Sequence, residues 1–372
     1  MTMPGHIILI GRFPPPPDGQ SMATERLYGY LSSQSQVHRI NTMIPAGASA
    51  WSKLTHYRAA GRQLADALAM YPEAPVIWTS ISPETVGHFR DVGTVFPRLK
   101  GRRTIAVSHW GKFASVFENA ATAWSARRLI PGLERVVFTT SVLSEACAAW
   151  IPQAQRQVIP NTLDAALIPE RAALDERIER GPGRPFQVLF LSNMIREKGW
   201  EDVLEAAALL KNDDTRFEWA FAGGWPRPSE RPLFDAAVER LGVGDCVRYE
   251  GLLQKRSEIG ERHLAADLFV LPSWLREAQP LSIMEAMAAG TPCVVADDGG
   301  MPDMIGAGGD SAAGLVVSAR KPSALADAVR SLATPEAWHT AAVNARQQFE
   351  ERFAPDVVDG AWDALITEVM RP

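Results

Sequence analysis

The sequence predicts an α/β protein built from two doubly wound parallel sheets, and three observations carry that expectation. Short apolar runs alternate with amphipathic stretches from end to end. The rhythm pauses at one polar, glycine- and proline-bearing stretch and then begins again. The 372 residues, 46% of them hydrophobic, suffice for two cores. No repeat of about 20–50 residues is visible, so the halves read as two similar folds and not as a solenoid.

In chain order, Ile7–Ile10 reads as a buried strand, followed by a Pro/Gly loop over Phe13–Gly19 and a helix from about Ser21 to Leu31. Val76–Ile81, Thr104–Ser108 and Val136–Thr140 read as further strands, separated by helix-like sequence such as Ala114–Arg128. Pro169–Pro185, with Gly181-Pro182-Gly183 inside it, reads as a linker. The second half gives strand Gln187–Leu191, helix Trp200–Leu210, strand Phe217–Ala222, helix Pro232–Leu241 and strand Val247–Tyr249. Strand Leu268–Leu271, a helix near Leu281–Ala289, strand Pro292–Ala296 and a last helix from about Ala354 to Met370 follow. The expected domains are 1–168 and 184–350, with 351–372 a helix packing back on the first. Two such sheets facing a central cleft would hold a ligand beyond the carboxyl ends of their strands.

The net charge of −5 hides an asymmetry: residues 1–165 carry 16 Lys and Arg against 10 Asp and Glu, and residues 166–372 carry 22 against 33. Cys147, Cys246 and Cys293 are far apart and form no C-x-x-C, which reads as free thiols in a reducing compartment and no zinc site. The apolar run Ile7–Ile10 is shorter than the roughly 7–15 residues of a signal-peptide core. No stretch reaches the ~18 apolar residues of a membrane span. A cytoplasmic protein is expected.

The sharpest motif runs from Leu271 to Pro292, with Glu277 and Glu285 eight positions apart, one in a loop and one in a helix ending near Gly290. Leu281 and Ser282 fall at the helix start, where free amides and the dipole attract phosphate. Ionised glutamates only accept hydrogen bonds, which suits sugar hydroxyls on either side of a diphosphate. Two glutamates alone are also compatible with a solvated surface.

With its surroundings, this segment resembles the retaining glycosyltransferases of family 4, whose fold is the two-domain GT-B architecture. Glu277 and Glu285 match the family's E-x7-E motif; the resemblance implies that the first contacts the transferred sugar and the second the ribose of the nucleotide. Phe190–Gly199 resembles the segment whose lysine, here Lys198, binds the donor diphosphate. An arginine usually stands five positions before that lysine, and this chain has Asn193, with Arg196 as a nearby substitute or a plain loop charge. Phe221-Ala-Gly-Gly224 resembles a second glycine-rich strand end, and Glu250-Gly251-Leu252 the loop bordering the nucleobase. Ala265–Ser273 and Asp298–Asp303 flank the glutamates as in the family. A leaving diphosphate builds negative charge that Lys198 and helix amides can stabilise without a metal.

In the first half, Gly11–Ser21 is neither a G-x-G-x-x-G fingerprint nor a Walker loop, which weakens NAD and ATP readings. It resembles the family loop that closes on donor phosphate and acceptor, which makes Gly19 and Gln20 candidates; a rigid turn is the alternative. His109 directly follows the strand Thr104–Ser108, where the family places a histidine beside the transferred sugar. The other six histidines carry no signal. Thr162 stands where the family has glycine, and no Asp-x-Asp occurs, so no metal is expected.

The resemblance implies hexosyl transfer from a UDP- or GDP-linked sugar to a glycan or lipid-linked glycan, as in bacterial polysaccharide or glycolipid synthesis. A nucleotide-sugar 2-epimerase and a non-catalytic sugar-nucleotide-binding subunit are the rival readings. Basic centres at Arg98–Arg103, Arg127-Arg128 and Arg58 with Arg62 lie near Trp110, Phe113, Phe117 and Trp124, the last three on one expected helix. They suit an anionic membrane surface at the inner face of the cytoplasmic membrane or a lipid-linked pyrophosphate acceptor, with a solvated surface of scattered arginines as the alternative. No nucleic-acid module is present.

Overall fold

The structure is a computed structural model describing residues 3–44 and 47–371. Residues 1, 2 and 372, the outermost of the expected domain bounds, lie outside the described residues. The chain divides into two compact units, Met1–Thr162 with Asp356–Pro372, and Leu163–Pro355.

The first unit holds strands β1 (His6–Gly11), β2 (Gln36–Asn41), β3 (Val76–Trp78), β4 (Thr104–Ser108), β5 (Arg135–Phe138) and β6 (Arg156–Val158). They form one parallel sheet in the order β2-β1-β3-β4-β5-β6, with Ile8 of β1 opposite Val76 on one side and His38 on the other. The central strands β1, β3 and β4 are buried on both faces, which is why they read as unbroken apolar runs. The helix Pro355–Val369 sets Val358, Trp362, Leu365 and Ile366 among Ile7, Leu9 and Ile105 of this sheet. It also ties its polar face down, Asp359 to Arg26 at 2.7 Å and Asp363 to the Tyr30 hydroxyl at 2.6 Å.

Leu163–Pro355 holds β7 (Phe186–Leu191), β8 (Phe217–Ala222), β9 (Val247–Gly251), β10 (Leu268–Leu271), β11 (Cys293–Ala296) and β12 (Gly314–Val317). Their order is β12-β11-β10-β7-β8-β9, again all parallel. Counted from β7 this is the dinucleotide-fold order, with the chain reversing direction between β7 and β10. Loops 192–199 and 272–280 therefore leave neighbouring strands at the switch point, where such sheets bind ligands. Trp200, Trp219 and Trp338 are fully buried in this unit's core.

Several expected elements differ. The strand expected over Val76–Ile81 stops at Trp78, because the Thr79 carbonyl is taken by the Gln20 side chain at 2.6 Å. Val136–Thr140 ends as a strand at Phe138, and Thr140 instead stands just before the short helix Ser141–Glu145, without a side-chain cap bond. Ala114–Arg128 is two short helices, Ser115–Glu118 and Ala123–Leu129, since the Asn119 side chain accepts from the Ala121 amide and breaks the ladder. The expected linker contains the helix Arg171–Arg180, stopped at Gly181. The sequence reading also missed β2 and β6, polar edge strands, and the helix Ala50–Met70.

Candidate functional site

Lys198 ends a single 3-10 turn, Arg196–Lys198, just after β7. Gly199 follows with φ +89°, and a Cβ there would sit 2.6 Å from the Pro272 carbonyl oxygen. Only glycine lets the two switch-point loops press backbone to backbone. The Trp274 amide donates to the Glu197 carbonyl at 2.9 Å, locking them together. Across this seam the Lys198 ammonium meets Glu277 Oε1 at 2.5 Å, and Ser273 Oγ lies 2.9 Å from the same oxygen. Both charged side chains are largely covered, 17% and 15% exposed, so the pair is stronger than a surface ion pair. The Glu277 carbonyl accepts from the Gly300 amide at 2.9 Å, and a Cβ on Gly299 (φ +62°) would collide with it. Lys198 and Glu277 are thus held at one point from three sides. A cation beside a carboxylate can take an anionic oxygen and a hydroxyl together.

Leu281 and Ser282 begin the helix Leu281–Ala288, which no side chain caps. Its first amides lack intrahelical acceptors and are suited to an anion. Glu285, one turn on, is 8% exposed in a helix whose Ile283, Met284, Ala286 and Met287 are wholly buried. Its carboxylate lies 3.4 Å from the Nε2 of His263, a residue the sequence reading set aside. Ser273 was likewise not singled out. Neither had a local signal beyond its place near the glutamate motif.

Gly224 and Leu252 come together at the ends of β8 and β9, where a Cβ on Gly224 would lie 3.7 Å from Leu252. Asn193 is exposed. Arg196 is committed to Glu201, with Nε and Nη2 at 2.9 and 2.7 Å from one carboxylate oxygen, and must leave that pair to meet a phosphate.

In the first unit, Asp18 caps the helix Gly19–Gln34 through Ser21, and its carboxylate pairs with Arg12 at 2.5 Å. Arg12 also donates to Gln20 at 3.3 Å, and Gln20 in turn donates to the Thr79 carbonyl. The loop therefore bridges the carboxyl ends of β1 and β3, the switch point of this sheet. Arg12 is the residue that sequence reasoning missed here. Gly19 has open space where a side chain would stand.

His109 follows β4 and lines a cavity with Thr79, Asn161 and Trp362. Burial pushes its imidazole down to about 4, against a smaller upward pull from Asp18, so the ring is neutral at physiological pH. Between the folded value and the usual 6.5, the unfolded chain holds a proton that the folded chain does not. Stability should therefore fall as pH drops from 6.5 toward 4. His109 accounts for at most about 2 kcal/mol between pH 7 and pH 5, discounted for its partial exposure. Urea denaturation at both pH values should show a smaller loss for His109→Asn than for the natural protein; equal losses would mean that His109 takes up its proton as readily folded as unfolded.

Phe113 and Phe117 are buried, and of the three expected helical aromatics only Trp124 is exposed. Arg98, Arg102 and Arg103 donate to the carbonyls of Thr94, Pro72 and Met370. Among the described residues no cluster of three or more His, Cys, Asp or Glu could hold a metal, and no helix is long and apolar enough to cross a membrane.

Residues 174–352 match the family described as glycosyl transferases group 1. The chain is 30% identical over 193 residues to 2-deoxystreptamine glucosyltransferase of Streptomyces kanamyceticus, covering 50% of this chain and 48% of that protein. It spans half or less of the length of that and comparable relatives. Among solved structures it resembles sucrose-phosphate synthase from Thermosynechococcus elongatus, with TM-score 0.76 and 17% identity over 98% of this chain and 99% of that one. It also resembles Anabaena HepE in complex with UDP, with TM-score 0.73 and 16% identity over 97% and 100%. The chain has the two-sheet GT-B fold of these solved structures, and its residues 174–352 are similar to the glycosyl transferases group 1 family.

Proposed function

We propose that this chain is a retaining glycosyltransferase of family 4, bearing its E-x7-E motif at Glu277 and Glu285. It transfers a hexosyl residue from a UDP- or GDP-linked sugar to a glycan or lipid-linked glycan, in bacterial-type polysaccharide or glycolipid synthesis, without a metal. The observation that carries the reading is the Lys198–Glu277 contact at the switch point of the second sheet. A structural relative, HepE, is described in complex with UDP-glucose, which favours a nucleotide-sugar donor here.

In this reading the diphosphate takes Lys198 and the amides at Leu281 and Ser282, with Asn193 or Arg196 as the second contact. Glu277, relieved of Lys198, accepts from the transferred sugar, and Glu285 from the ribose hydroxyls. Gly224 and Leu252 border the base. In the first unit, His109 hydrogen-bonds the sugar as a neutral ring, and Gly19 and Gln20 border the acceptor. As the sugar–phosphate bond breaks, the leaving oxygen takes the proton of the incoming hydroxyl, which bonds to the same face of the sugar carbon. Lys198 stabilises the charge that builds.

Catalysis proceeds in the cytoplasm, at the inner membrane face. Exposed Trp51 and Leu54 lie on the helix Ala50–Met70 with exposed Lys53, Arg58 and Arg62, and this basic face suits anionic lipid.

A thermal-shift series with UDP, GDP and ADP tests the donor site, since ligand at 100 times its Kd adds about 2.7 kcal/mol. One nucleotide should raise the Tm. Its hexose conjugate should then yield product of retained anomeric configuration by NMR, at a rate unchanged by EDTA and with more bound to anionic than to neutral vesicles. No response to any nucleotide would overturn the reading.

A further inference from the structure

We infer that His263 is a positioning residue for Glu285: its Nε2–H holds one carboxylate oxygen so that the other is presented to the ribose hydroxyls of the donor. The inference rests on the assignment of Glu285 proposed above. His263 lies near the end of the helix Arg256–Ala265 and is completely buried. Its ring packs against Phe269, with centroids 5.3 Å apart, and neither ring nitrogen has a hydrogen-bond partner. A buried imidazole with both nitrogens unsatisfied is costly, and an apolar ring of the same shape would avoid that cost. A polar ring kept there therefore points to a use for its N–H.

The Nε2 lies 3.4 Å from Glu285 Oε2, at the long end of hydrogen-bonding distance. The separation is within reach of a bond and only its alignment is lacking, and such contacts commonly tighten when ligand arrives. The backbone is fixed for the purpose, because the His263 carbonyl accepts the buried Thr291 hydroxyl at 2.8 Å. Terminal rotation of a glutamate carboxylate is otherwise soft. On a helix whose other inward residues are apolar, His263 supplies the hydrogen that fixes the plane of the carboxylate.

The test is calorimetric binding of UDP and GDP against their 2′,3′-dideoxy forms, with the better-bound base used throughout. The natural protein should prefer the ribo form. His263→Phe should lose about tenfold of that preference, the cost of a hydrogen bond to a charged group, while the dideoxy affinity stays. His263→Gln, which can place a donor near the Nε2 position, should retain the preference, and His263→Asn, too short, should lose it. The last two variants decide the matter if the Phe variant fails to fold. Glu285→Leu should abolish the ribo preference. If Glu285→Leu leaves the preference intact, the ribose assignment itself fails. If that variant loses it while His263→Phe and His263→Asn keep it, the positioning role alone is overturned.

Discussion

Lys198→Ala is expected to lower kcat for sugar transfer by about 10²–10³-fold, the cost of removing one preorganised group from a site of developing charge. The size follows from where the ammonium sits. It is largely covered, bonded to Glu277 at 2.5 Å, and carried on a turn that Gly199 allows to lie against the Pro272 backbone. The ammonium therefore has only to pass from Glu277 to the neighbouring diphosphate, on a backbone that is already fixed. The same substitution strands the Glu277 carboxylate in a covered position with Ser273 as its remaining partner. Glu277→Ala and Lys198→Ala should therefore be strongly non-additive, because the first removal already disables the shared unit. Lys198→Arg should recover only part of the rate, since a planar fork cannot replace a point charge in that gap. Steady-state kinetics on the single and double variants check this. A Lys198→Ala enzyme within threefold of the natural rate would remove Lys198 from the chemistry.

Asp267→Ala is expected to cost about 3–5 kcal/mol of stability, the penalty for breaking a buried ion pair and leaving its partner uncompensated. Asp267 is 6% exposed and accepts from the amides of Gly183 at 3.0 Å and Gln187 at 2.8 Å. Arg177 lies 3.9 Å away, is itself 2% exposed, donates to the carbonyls of Leu264 and Ala266, and stacks over Trp338. Burial pulls its guanidinium down to about 10 despite the carboxylate. Without that carboxylate the pull is unopposed and two amides lose their acceptor. Asp267→Asn, which keeps an acceptor oxygen, should cost less. Urea denaturation should show the Ala variant with a lower midpoint and an unchanged slope, and nucleotide affinity near normal where the variant is folded. A loss below 1 kcal/mol would mean that Arg177 is satisfied by carbonyls alone.

These two residues show how differently neighbouring motif positions can act. Asp267 and Glu277 flank one strand, but in the sequence only Glu277 stands out, as the first glutamate of its motif. The strand separates them: Asp267 precedes β10 and faces the amino edge, where it fastens Arg177 and the chain before β7. Glu277 follows β10 and faces the carboxyl edge, where the sheet reverses direction.

The charge asymmetry also changes once the units are known. The helix Pro355–Val369 joins the basic half, so that unit carries 17 Lys and Arg against 13 Asp and Glu. Asp359, Asp363 and Glu368 are spent on Arg26, Tyr30 and Arg135. The exposed basic face is accordingly narrower than a count along the chain suggests. Arg58, Arg62, Arg127 and Arg128 are exposed, whereas Arg98, Arg102 and Arg103 are half-buried and donate to carbonyls.

The sequence by itself determined the two parallel sheets, most of their central strands, and the loops that carry Lys198, Glu277 and His109. Those signals are local: an unbroken apolar run marks a strand covered on both faces, and a glycine or proline after it marks the loop. The tertiary structure alone decided the polar edge strands, the pairing of Lys198 with Glu277, and the seating of His263 behind Glu285. It also decided which arginines remain free. Each of these depends on residues distant in the chain meeting in a covered place, where the loss of water makes a partner obligatory and so fixes which partner it is.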